Sequence, residues 1–229
     1  MPDRRNGDMG IRNRDELKEK INGILNSAKV TLDKLDKITA DNFIFEGKFG
    51  QLGTKLTDSS TPEDLGEQIQ QSMTVLMTCY AVDWLTENTD FNYPFETSEA
   101  ANNGADIYKE KSVTCEVFAA KNPKNNQKIY HDLNAVAMKP QKNKYVFYCS
   151  PDDKKFIPKK NEHHSSKTYN FDFEIKDIDQ SNPELSVIKI SSKDYTAVTV
   201  TLIHITPCCL HQWINKIVPS GISGLSQEN

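Results

Sequence analysis

The strongest constraint in this chain is a carboxylate in the middle of an apolar strand. Residues 112–120 read SVTCEVFAA. Side chains on a strand alternate between its two faces. Val113, Cys115, Val117 and Ala119 therefore share one face, and Thr114, Glu116, Phe118 and Ala120 the other. So apolar a segment belongs inside a sheet, where an unpaired charge is expensive. Glu116 needs a partner, and Asp106 is the nearest candidate. It lies in residues 105–109, which read as a second strand joined to the first by a tight turn at Glu110-Lys111.

The surroundings of this hairpin can be read by periodicity. Upstream, Leu65, Ile69, Met73, Leu76, Cys79, Tyr80 and Ala81 recur at helical spacing, which predicts a helix over 63–86. Thr61 is its expected cap, with Pro62 in the first position. Downstream, Asn125 or Asn126 caps a short helix through Met138, with Ile129, Leu133 and Val136 inward and Pro140 ending it. Residues 144–149 (KYVFYC) form a strongly apolar strand. The order is helix, strand, strand, helix, strand.

The remaining segments decorate this unit. Residues 1–14 are basic and polar and read as a disordered leader with no apolar signal region. Leu17, Ile21, Ile24, Leu25, Ala28, Leu32 and Leu35 predict an amphipathic N-terminal helix, with Asp15 placed to cap it. Residues 38–57 read as irregular or as a short hairpin, and 88–104 as loop with a short strand at Tyr93-Pro94-Phe95. Residues 151–184 form a polar insertion with a strand near 171–175; strands follow at 187–190 and 195–206. A helix from Cys208 and a loose tail complete residues 207–229. The expected fold is α/β: a central mixed sheet flanked by helices, with one domain spanning 15–206.

Composition narrows the function classes. The net charge of -4 argues against coating nucleic acid by bulk charge. No apolar run is long enough to cross a bilayer. The five cysteines show no framework spacing, so an intracellular, reducing compartment (cytoplasmic or nuclear) is expected. There is no phosphate-binding Walker loop, no GxSxG and no dinucleotide fingerprint.

Two carboxylates on adjacent strands can come within reach of one ion, and hard oxygen ligands suit Mg²⁺. Such a centre activates water and offsets the charge that builds on a cleaved phosphodiester. The stretch NNGADIYKEKSVTCEVFAAKNPKNNQKIYHDLNAVA, followed by KYVFYCSPDD, resembles the core of the PD-(D/E)xK (restriction-endonuclease-like) nucleases. The likeness covers residues 63–153. It implies a Mg²⁺-dependent endonuclease acting on DNA, with Asp106 and Glu116 as the acidic pair and Glu67 as a further ligand from the upstream helix. Ala105 stands where that motif has proline, and Phe118 where it has lysine. The resemblance then implies a lysine recruited from elsewhere, Lys128 on the following helix or Lys121 just past the strand. Without it, the expectation is an inactive relative that binds nucleic acid or a protein partner.

Other features carry weaker expectations. Lys139, Lys142, Lys144, Lys154, Lys155, Lys159 and Lys160 face only Asp152 and Asp153, leaving about five net positive charges that suit a phosphate backbone or a solvated loop. His204, Cys208, Cys209 and His211 offer zinc-type ligands in no common spacing, and Cys208-Cys209 more readily opens a helix after Pro207. His163-His164 reads as a loop pair. The apolar stripes of the N-terminal helices allow pairing with another chain, including a homodimer.

Overall fold

The computed structural model describes residues 10–50, 52–56, 60–97, 105–156, 163–165, 170–178, 185–192 and 197–219. Most of the expected leader, the tail beyond 219, Lys159 and Lys160 lie outside them.

The chain opens with α1 (Arg14–Leu35), capped by Asn13, whose side chain accepts from the amides of Asp15 and Glu16. Asp15 lies in the first turn instead of capping it. A second helix, α2 (Ala40–Lys48), replaces the expected irregular stretch. Its Phe43, Ile44 and Phe45, with Phe49 just beyond, stay exposed, so no buried stripe marks it in the sequence. Strands β1 (Gly53–Thr54) and β2 (Pro62–Glu63) pair antiparallel. That pairing moves the next helix start: Pro62 and Glu63 are extended, and α3 (Leu65–Asn88) is capped by Asp64, not Thr61. Between α1, β1 and α3, buried Ser27, Thr31, Thr54 and Gln68 hydrogen-bond one another.

The other strands form one mixed sheet. They are β3 (Glu96–Thr97), β4 (Ile107–Lys109), β5 (Val113–Ala119), β6 (Asn143–Cys149), β7 (His163–Ser165), β8 (Asn170–Ile178), β9 (Leu185–Ser192) and β10 (Val198–Ile205), in the order β3-β4-β5-β6-β10-β9-β8-β7. β5, β6 and β10 run parallel; the other neighbours are antiparallel. A parallel pair needs a crossover, and α4 (Lys128–Ala137) supplies it between β5 and β6. The last helix, α5 (Pro207–Ile217), is capped by Thr206 with Pro207 in its first turn. This is an α/β architecture, as the element order predicts.

Alternation along the strands sorts two cores. Ile107, Val113, Cys115, Val117, Phe147, Cys149, Ile203 and Ile205 pack with α1, α3 and α5. Phe118, Val146, Tyr148, Ile188, Ile190, Val200 and Leu202 pack with Ile129, Leu133 and Val136 of α4. Among the described residues, the first face has three helices and the second has one. Among the described residues, no helix is long and apolar enough to cross a membrane.

Candidate active site

The hairpin register sets the site. Ile107 pairs with Cys115 and Tyr108 with Thr114, so the residue before β4, Asp106, falls across from Glu116. Paired residues share a face, and theirs is the α4 face. The hairpin turn is tight enough to force Glu110 to a φ of 37°, and the Ser112 amide donates back to the Lys109 carbonyl at 2.9 Å.

Asp106 ends the β4–β5 ladder with its side chain. The Val117 amide donates to Asp106 Oδ2 at 2.8 Å. This fixes the carboxylate beside Glu116, which is only 7% exposed. Burial pushes the Glu116 carboxyl up from its ordinary 4.5 to about 9; the charge of Asp106, and a hydrogen bond to it, push the same way. At neutral pH Glu116 therefore keeps its proton and donates it to Asp106.

The Lys128 side chain reaches the same face from the first residue of α4. Its Nζ lies 5.6 Å from the centre of the Phe118 ring. It also lies 2.7 Å from Asp132 Oδ1, one helical turn on. Burial pulls the Lys128 ammonium down, but Asp132, Glu116 and Asp106 outweigh it, and the net shift is upward. Asp132 is itself buried, which lifts its carboxyl to about 6 despite Lys128. Asp132 was not among the residues that the sequence singled out. The signal was there: an acid four residues after Lys128, beside the inward Leu133.

Asp106, Glu116 and Lys128 thus lie on one face of the sheet, and Asp132 joins them. Lys121 lies exposed in the turn after β5. Glu67 does not join. It sits in the first turn of α3, which packs against the opposite face of the sheet, and its Oε1 accepts from Gln71 at 3.0 Å. There it lines a cleft of about 420 Å³ with Lys55, Glu63, Gln70, Gln71 and Thr74. That cleft does not contain the acidic pair.

The lysine cluster does not form one surface. Lys139, Lys142 and Lys144 precede or open β6, whereas Lys154 and Lys155 follow it. A seven-residue strand separates the two groups by roughly 20 Å. Lys144 is excluded as a phosphate contact: it is 7% exposed and its ammonium donates to the Lys139 carbonyl. Strand alternation turns it inward, paired with Thr114. Lys142 and Lys154 are exposed, Lys139 and Lys155 half-buried.

The soft-ligand group also separates. His204 is buried on the α4 face, stacked on Tyr148 with its Nε2 3.0 Å from Ser150 Oγ. Cys208 and Cys209 open α5, whose Leu210 and Ile217 pack on the other face. His211 is exposed on that helix. Zinc is therefore not a fit there. His163 and His164 lie in β7, not in a loop.

Glu116 and Asp106 supply hard oxygen donors from adjacent strands. No group of three His, Cys, Asp or Glu side chains among the described residues is arranged to hold a metal. Two carboxylates still fit Mg²⁺, which keeps several waters and commonly takes one or two protein carboxylates with the substrate's phosphate. No protein-family model, curated protein or solved structure matches this chain.

Proposed function

We propose that this protein is a metal-dependent nuclease-like hydrolase of DNA phosphodiester bonds, with a restriction-endonuclease-like core. The observation that carries the proposal is the convergence of Asp106, Glu116 and Lys128 on one sheet face, with the ammonium above the ring that stands at the motif lysine position. Phe118 cannot place a charge there. Lys128 brings one to the same place from α4.

Each residue has a definable task. Asp106, oriented by the Val117 amide, and Glu116 offer oxygens to a divalent cation, Mg²⁺ being the expected one. The cation, when bound, supplies charge stabilisation and an acidified water. Lys128 orients the attacking water or a phosphate oxygen through a charge-assisted hydrogen bond. Because Glu116 holds a proton at neutral pH, cation binding must release it. Affinity for the cation should therefore rise with pH toward about 9.

The test is nicking of supercoiled plasmid by purified protein in Mg²⁺, repeated with Asp106→Ala and Glu116→Ala. Loss of nicking in both variants supports the assignment; nicking that survives both sinks it. Phe118, buried in a stack on Tyr148 at 5.8 Å, favours one second reading. In that reading the protein is a catalytically inactive relative that binds nucleic acid. Salt-dependent DNA binding with no cleavage in Mg²⁺ or Mn²⁺ would select it.

A further inference from the structure

The start of α4 breaks several local rules at once. Gln127, its N-cap residue, has a left-handed φ of 58° and makes no side-chain cap bond. Asn126 before it is left-handed too, with φ 52°. Two consecutive residues without glycine's freedom are thus held in a costly conformation. The first helical residue is then a lysine, a cation at the helix end that favours anions. Its partner Asp132 comes four residues later, which is the poorer order for a helical ion pair. Helix stability does not account for such a start.

Burial does not account for it either. The Asp132 side chain is 5% exposed and Lys128 46%, so the acid is desolvated to hold a cation that remains reachable from solvent. Asp132 Oδ1 takes the ammonium at 2.7 Å. Asp132 Oδ2 is buried with no hydrogen-bond partner among the described residues. An aspartate kept only for packing would be better replaced by an apolar residue, as at neighbouring Ile129, Leu133 and Val136. Departures from local consistency of this kind gather at functional sites.

We infer that Asp132 is a positioning residue that holds the Lys128 ammonium over the Phe118 ring, beside Asp106 and Glu116. It stands in for the geometry that a lysine on β5 itself would have supplied. A lysine on a helix has more freedom than one fixed in a sheet, and an ion pair at its base removes that freedom. The catalytic consequence rests on the nuclease reading above; the hold on Lys128 does not.

Two measurements separate them. The first is the ¹H–¹⁵N cross-peak of the Lys128 ammonium, recorded cold near pH 7 so that Asp132 is ionised; it is visible only when the group is ordered and slow to exchange. It should be present in the unaltered protein, lost in Asp132→Asn and regained in Asp132→Glu. The second is plasmid nicking under saturating Mg²⁺. Asp132→Asn should lower kcat about 10- to 100-fold, as loss of an orienting group does, with KM little changed. Asp132→Glu should recover part of it. A cross-peak that survives Asp132→Asn overturns the inference, even if cleavage falls. So does unchanged kcat in Asp132→Asn. If the cross-peak behaves as expected and the unaltered protein never nicks DNA, the hold on Lys128 stands and the nuclease reading fails. Circular dichroism of each variant establishes that it is folded.

Discussion

The two faces of the sheet are made by alternate residues of the same strands, yet they differ in how their polar groups are treated. On the face under α1, α3 and α5, the buried acid is Asp83. Its Oδ2 accepts from Trp213 Nε1 at 2.8 Å, and Arg14 lies 3.6 Å from its Oδ1. Both oxygens have partners, drawn from the two flanking helices α1 and α5. On the α4 face, the buried Glu116 carboxyl is pushed up by its burial and by the neighbouring Asp106. Thr114 Oγ1 and Asp132 Oδ2 have no partner among the described residues. One face gives its buried acid a partner at each oxygen. The other, covered by one short helix, leaves Asp132 Oδ2 without one among the described residues. The difference teaches where chemistry fits: beside the thinner cover, at the strand edge where β4 begins.

Four experiments break or sharpen this contrast. The largest effect belongs to the three-helix face. Phe147 is fully buried there, with Trp84 edge-on at 5.5 Å. Phe147→Ala should cost about 3–5 kcal/mol in urea unfolding. A cost near zero would mean that this face does not carry the stability. On the other face, Glu116→Ala should lower nicking about 100- to 1,000-fold. Its urea midpoint at pH 8 should not fall, because a costly buried carboxyl has gone.

The third test is pH dependence without divalent cations. Glu116 is raised in the folded state, so the native protein binds a proton that the unfolded chain has released. Its contribution is full below 4.5 and is lost as pH rises through about 9. Asp132 adds the same trend between its ordinary 3.8 and about 6. Thermal unfolding should therefore drop across this range, and Glu116→Gln should flatten the upper part. A profile that rises toward pH 9 would mean that folded Glu116 does not hold its proton. The smallest effect is on the lysines. Lys154→Ala should reduce the slope of log DNA affinity against log salt by about one, whereas Lys144→Met should leave it unchanged. Equal effects from both would show that β6 does not separate the two groups.

The sequence displayed the central unit well because its signals are local and strong. Strict alternation over 112–120 placed Glu116 on its face, and helical periodicity placed α3 and α4 to within a few residues. What escaped depends on contacts distant in sequence. Asp64 caps α3 because Pro62 and Glu63 are drawn into pairing with Gly53 and Thr54. α2 escaped because its apolar residues are exposed and form no inward stripe. Lys144 looked like part of a basic patch because charge clustering ignores the strand pleat that buries it. Glu67 looked available as a ligand because its helix precedes the hairpin, but sequence does not say which face of the sheet that helix covers. Asp132 is legible only once Lys128 is known to need a partner.

The bond from the Val117 amide to Asp106 has a consequence for how this protein fails as well as how it works. β5 runs on past Ile107, the first residue of β4, and a strand that outlasts its neighbour offers a bare donor to any other chain. Asp106 stoppers that donor. Truncating it to alanine would open a sticky rim along β5, so clumping on storage should accompany lost activity. Asparagine keeps an acceptor for the amide while surrendering the charge. Comparing the two substitutions separates an unplugged edge from an emptied site.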